Sequence, residues 1–187
     1  MVIPMKHVSE KNIKDCPQEE KVMQTVTVAI ADVDRERRTG YERLLHGEDG
    51  ITLLSNVGTS NDDRNDHAFV NRRRTQRTNI SECENEVARI KRLKPAVMLI
   101  NLHTGADENH VLLLSLRSVC PGSHIVVLAD DAVHENKIIQ AIEFGARGYL
   151  KYESVKLHLA KAVQVVGRGE AWLPRKMMGS IMDRVLN

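Results

Sequence analysis

Five short apolar runs, rich in β-branched residues and alternating with stretches of helical spacing, limit what this chain can fold into. The runs are TVTVAIA (Thr25 to Ala31), ITLLSNV (Ile51 to Val57), VMLINL (Val97 to Leu102), HIVVLA (His124 to Ala129) and GYLK (Gly148 to Lys151). They are too short for helices and read as buried strands. Between them the apolar residues fall three and four apart. Tyr41, Leu44 and Leu45 do so in a helix expected from Arg35 to about His46, capped by Asp34. Val87, Ile90 and Leu93 do so from Cys83 to Leu93, and further helices are expected over His110 to Val119, His134 to Phe144 and Val155 to Val166. Breakers stand where each element should stop: Gly47 and Gly50, Pro95, Pro121-Gly122, Gly145, then Gly167 and Gly169. Pro174 opens a last helix running to Leu186. Strands alternating with helices predict an open parallel sheet with helices on both faces.

Two segments stand apart. Residues 1–23 are polar without period and read as a flexible extension. Residues 58–82 hold Asp62, Asp63, Asp66, Arg72, Arg73, Arg74 and Arg77 but few apolar residues (Ala68, Phe69, Val70, Ile80), so a loosely attached insertion is expected. Its arginines could meet DNA phosphate electrostatically, or be a solvated loop balanced by the aspartates; we take the second. The division is then an extension at 1–23, an α/β domain at 24–167 interrupted at 58–82, and a linker helix at 168–187.

Composition narrows the function classes. A net charge of +2 argues against nucleic-acid binding by the bulk of the chain, and 3% aromatic residues argue against stacking on single strands. Cys16, Cys83 and Cys120 are odd in number and far apart, which fits a reducing cytoplasm better than a disulfide framework or metal motif. His103, His110 and His134 have no metal-binding spacing either. The apolar runs are too short to span a bilayer, and the N-terminus lacks a signal-peptide core. In a doubly wound sheet the site lies beyond the carboxyl ends of the strands, which puts Asp32, Asn101, Ala129, Lys151 and Tyr152 along one edge.

Several motifs then point to a family. FGARGYL (Phe144 to Leu150) resembles a "GAxGYL" signature, and CPGSHIVVLA (Cys120 to Ala129) and GRGEAWLP (Gly167 to Pro174) resemble the segments on either side of it. LINL at the end of the third run resembles an "LLDL". In this order they resemble the receiver domain of NarL/FixJ (LuxR-type) response regulators, from about Thr25 to Leu186 apart from the insertion. The resemblance implies a flavodoxin-like (CheY-like) five-stranded sheet of order 2-1-3-4-5 with an extra C-terminal helix. It also implies a reaction: two acidic residues hold magnesium, an aspartate on strand three takes the phosphoryl group, and a hydroxyl and a lysine after strands four and five bind it.

Compared part by part, the chain departs from that pattern. Asp32 matches the first acidic position, but Val33 occupies the second and Asp34 comes one residue later. Asn101 replaces the nucleophile and, lacking a carboxylate, cannot form an acyl phosphate. Ala129 replaces the hydroxyl. Tyr152 takes the lysine's place, while Lys151 comes one residue early and should face the other side of the strand. Asp34 also reads simply as a helix cap, and Asn101 as a partner for buried backbone groups. Tyr149 matches an aromatic switch position, on a contact face of helix four, strand five and helix five.

The expectation is a degenerate receiver, or pseudo-receiver: a non-enzymatic, cytoplasmic regulatory domain of a LuxR-type transcription regulator. It would hold no cofactor and no magnesium, and would act through a homodimer or contact with a partner regulator or kinase. DNA would be reached only through a helix-turn-helix domain that no segment of this chain could form. Two alternatives stand beside it. WLPR (Trp172 to Arg175) resembles the W-[FLM]-[TS]-R motif of cyclic-di-GMP-responsive LuxR-type regulators, which would make Trp172 and Arg175 a nucleotide site, although Pro174 replaces the hydroxyl residue. The bland reading of Trp172 is an anchor for the last helix. The other alternative is phosphoryl transfer to Asp32 or Asp34.

Overall fold

The computed structural model describes residues 25–32, 34–55, 75–102 and 108–186, with side chains except at 75–83, 108–110 and 185–186. Val33, the polar N-terminal stretch and the arginines at 72–74 lie outside the described residues.

The elements alternate as the sequence predicts: β1 (Val26–Ala31), α1 (Arg35–Leu45), β2 (Ile51–Leu53), α2 (Thr75–Leu93), β3 (Val97–Leu102), α3 (Glu108–Val119), β4 (His124–Ala129), α4 (Glu135–Glu143), β5 (Ala146–Lys151), α5 (Tyr152–Gly167) and α6 (Arg175–Leu186). The strands form one parallel sheet of order β2-β1-β3-β4-β5. Every residue of the central β3 is buried, as a strand covered on both faces requires.

Side-chain parity splits the core in two. Val28, Ile30, Val97, Leu99, Val126 and Leu128 pack under α1 and α5. Ala29, Ala31, Met98, Ile100, Val127 and Tyr149 pack on the other face with α2, α3, α4 and Met177 of α6. This period of two decides which edge residues can meet.

Three expectations need correction. Helix α2 begins at Thr75, so residues 75–82 belong to it and not to a loose insertion. The stretch TQRTNISE contains no glycine or proline, and its Thr, Asn and Ser residues each cost no more than about 0.7 kcal/mol in a helix that the apolar residues further on already anchor. Strand β2 ends at Leu53, short of Val57. Among the described residues β2 pairs only with the first half of β1, and in the second half Arg89 of α2 donates to the Ile30 carbonyl at 2.5 Å while pairing with the buried Glu86. Finally, α5 follows β5 directly and begins at Tyr152, three residues before the expected Val155.

The free edge of β5 is closed by the chain's own continuation. Trp172 forms a parallel bridge with Gly148; its N–H donates to the Arg147 carbonyl, and its carbonyl accepts from the Tyr149 N–H, each at 2.9 Å. The turn that brings it there passes through Gly169 at φ +85°, a conformation suited to glycine. Helix α6 then lies along α4: Ser180 bonds Glu135 at 3.2 Å, and Arg184 bonds Glu143 at 3.1 Å and Asn136 at 2.9 Å.

Candidate functional site at the carboxyl edge of the sheet

Strand register brings two of the expected residues together. Ile30 pairs with Leu99 across β1 and β3, so Asp32 and Asn101, two residues further on, stand side by side with the same parity. Both are almost sealed, at 3% and 4% exposure. The Asn101 amide nitrogen donates to Asp32 Oδ2, and its carbonyl oxygen accepts from the Tyr41 hydroxyl at 3.1 Å. Tyr41 comes from α1, whose apolar face sits on this side of the sheet.

The same helix supplies a cation. Asp34 caps α1, accepting from the N–H groups of Glu36 and Arg37, so Asp34 acts as the cap that the sequence suggests. The cap fixes the first turn and swings Arg37 back over the strand end. Arg37 Nε donates to Asp32 Oδ2 at 3.2 Å and Nη2 approaches Oδ1 at 3.5 Å. Asp32 Oδ1 also accepts from the Asp34 N–H at 2.9 Å. Burial pulls the Arg37 pKa down, but the hydrogen bond and charge of Asp32, with Asp34 behind it, more than offset this and leave it above the ordinary value.

The remaining expected residues do not join this cluster as acceptors or donors. Ala129 is fully buried on the opposite face and brings no hydroxyl. Tyr152 faces the cluster, but its hydroxyl is buried without a hydrogen-bond partner among the described residues. Burial raises its pKa strongly; Tyr41 and Asp32 add to the rise and Arg37 opposes it. Lys151 lies on the other side of β5, where its Nζ meets Asp131 at 2.7 Å and Glu153 at 4.0 Å. Parity alone predicts that separation.

Tyr149 departs from expectation. It is only 4% exposed, in the core beneath α6 with Met177, so it does not present a contact face. The sixth helix takes up that position. Its own outer side exposes Met178 and Met182, while Ile181 packs inward. Trp172 is half-buried against α5, with the His158 ring centroid at 6.2 Å and Lys161 Nζ 6.0 Å from its ring. That placement fits the anchoring reading. Arg175 is exposed at the start of α6.

The sequence reading missed Arg37, and it took Tyr41 for a residue of α1's apolar face only. Arg37 sits in the run RERR, which looks like solvated charge; its distance of three residues from the capping Asp34 was the available signal. Among the described residues no group of histidine, cysteine or carboxylate side chains forms a metal-binding cluster, and no helix is long and apolar enough to cross a membrane.

No protein-family model matches the chain, and no curated protein sequence matches it. Solved structures do. A two-component response regulator of the LuxR family from Aurantimonas sp. SI85-9A1 aligns with a TM-score of 0.61 at 14% identity, covering 87% of this chain and 99% of the other. The isolated REC domain of RcsB from Salmonella enterica serovar Typhimurium aligns with 0.59 at 14% identity over 84% and 98%. The signal receiver domain of NarL from Mycobacterium tuberculosis aligns with 0.53 at 22% identity over 79% and 99%. At these identities the likeness establishes the receiver fold.

Proposed function

We propose that this chain is a receiver-like regulatory domain of a bacterial LuxR-type regulator, working by protein–protein contact without aspartyl phosphorylation and without enzymatic activity of its own. The observation that carries this reading is Asn101. It stands where a receiver has its nucleophile, and its amide is held at both ends, by Tyr41 and by Asp32. It offers no carboxylate to form an acyl phosphate. The surroundings support the same reading. Ala129 and Tyr152 replace the hydroxyl and the cation that would bind phosphoryl oxygens, and the nearby ammonium of Lys151 is engaged with Asp131 on the other side of the strand. Asp32 and Asp34, the other candidate acceptors, are engaged with Arg37 and the α1 N-terminus.

Contact through the α4–β5 side would involve the outer face of α6, with Met178 at 52% and Met182 at 57% exposure, because Tyr149 lies beneath that helix. A homodimer is our reading, with DNA reached through a separate domain. Two measurements test it. Incubation with radiolabelled acetyl phosphate and magnesium should leave the chain unlabelled; label mapping to Asp32 or Asp34 would refute the phosphorylation-independent reading. Light scattering should find a dimer unchanged by cyclic di-GMP. A dimer that forms only with the nucleotide, and is lost in Arg175→Ala, would replace this reading with a nucleotide sensor using Trp172 and Arg175.

A further inference from the structure

Receiver folds use a magnesium ion at this edge, and the donors present here can be tested against its needs. Magnesium takes oxygen ligands in near-ideal octahedral geometry at about 2.0–2.1 Å. Among the described residues two acidic groups are buried: Glu86, held by Arg89 and Arg38, and, beside Asn101 at the strand ends, Asp32. An ionised carboxylate has about four lone-pair sites, and donors occupy both oxygens. Oδ1 takes the Asp34 N–H and Arg37 Nη2; Oδ2 takes Arg37 Nε and the Asn101 amide. The carbonyl oxygen of Asn101, a second conceivable ligand, takes the Tyr41 hydroxyl. The donor set does not fit the metal.

We infer that Arg37 is a built-in counterion: its guanidinium does for Asp32 what a divalent cation does in a metal-dependent receiver, and it is the residue that makes this site refuse divalent metal. The inference rests on the reading of the domain as phosphorylation-independent and names the side chain that enforces the metal side of it. Three observations carry it. The guanidinium reaches the carboxylate with two nitrogens, a geometry suited to a fork-shaped donor. It is delivered by the first turn of α1, which Asp34 pins by capping, so no long-range rearrangement is needed to hold it there. And a second cation at Asp32 would be repelled at contact range, beside a carboxylate that is itself only 3% exposed. The counterion is covalently attached, so it neutralises the carboxylate at any metal concentration.

The test is manganese binding, followed by electron paramagnetic resonance of the free ion, on the full chain and its variants, with magnesium as competitor. The wild-type chain should show no saturable site at millimolar metal. Arg37→Ala should gain one, at least about tenfold tighter than any wild-type binding, since a full positive charge has been removed beside the ligand. Adding Asp32→Asn to Arg37→Ala should abolish the gain. Arg37→Met, which keeps the aliphatic stem, should behave as Arg37→Ala does, and Arg37→Lys, which keeps the charge, should stay metal-free. Circular dichroism identifies the folded variants, and Arg37→Met decides the matter if Arg37→Ala does not fold. Wild-type binding equal to that of the variants, or folded variants that gain no site, would overturn the inference. Acetyl phosphate labelling run in parallel separates the two claims: metal binding by unlabelled wild-type chain sinks the role of Arg37 alone, whereas labelled wild-type chain sinks the functional reading beneath it.

Discussion

Replacing Asn101 by aspartate puts a carboxylate at the proposed phosphoacceptor position, and the site makes it costly. The Asn101 amide nitrogen touches Asp32 Oδ2, and both residues are at most 4% exposed. Asn101→Asp exchanges that donor for a second carboxylate in a water-poor space. Two unit charges about 4 Å apart repel by about 4 kcal/mol at an effective dielectric of about 20. Arg37 and the Tyr41 hydroxyl, which still faces position 101, offset part of this. The net loss expected near neutral pH is about 2–4 kcal/mol, and like-charge repulsion of this kind holds one carboxyl of the pair in the variant above its ordinary pKa. The sign of the pH dependence follows. A carboxyl whose folded pKa is raised binds its proton more tightly when folded, so the loss is complete above the raised value. It shrinks as pH falls through that value and vanishes near the unfolded value of about 3.9. Urea unfolding of wild type and variant, at about pH 7.5 and again at about pH 5, should show a gap that narrows on acidification. Equal stabilities near neutral pH, or a gap that widens with acid, would refute the account of Asn101 as the donor that makes the buried Asp32 tolerable. The variant should also stay unlabelled by acetyl phosphate, because Ala129 and Tyr152 are unchanged.

Three further outcomes are expected. Tyr41→Phe should cost about 1–2 kcal/mol by leaving the Asn101 carbonyl oxygen without a donor, whereas Tyr152→Phe should be neutral or slightly stabilising, because that hydroxyl is buried with no partner among the described residues; chemical unfolding of both variants tests the contrast. Burial, and then the charge of Arg147, holds the His124 pKa below 6.5, so this residue's contribution is present above 6.5 and is lost as pH falls through the lower folded value; the Tm of His124→Gln should fall less steeply over that window than that of wild type. Met177→Ala should cost about 2–4 kcal/mol at the α6 contact, read as faster amide exchange across Arg175–Leu186 than in wild type; unchanged exchange would mean that α6 is not held through its buried methionine.

Much of the architecture was legible in the residues. Five apolar runs punctuated by glycine and proline give strand number and alternation, because backbone hydrogen bonding and burial act locally at a period of two or 3.6, although β2 is shorter and less buried than its run suggests. Parity is local too, so the separation of Lys151 from Tyr152 followed from counting. That Asn101, Ala129 and Tyr152 stand where the resembled pattern has a carboxylate, a hydroxyl and a lysine is a matter of residue identity and needed only the alignment of motifs. The start of α2 was not legible, because a polar stretch such as TQRTNISE is helical or not according to what it extends from.

What the tertiary structure alone decided is where charged and aromatic side chains go once several elements meet. Arg37 in RERR has the local signature of a solvated residue; only the parallel register of β1 and β3, which sets Asp32 beside Asn101, creates the buried negative charge that draws it in. Tyr149 has the local signature of an edge strand's exposed aromatic; only the return of the chain through Trp172 and the laying of α6 along α4 cover it. Arg37 lies only five residues from Asp32, but what buries that carboxylate, the Asn101 strand beside it, is distant in the chain, as is the α6 surface that covers Tyr149; local sequence pattern carries no information about which distant strand or apolar surface will be opposite.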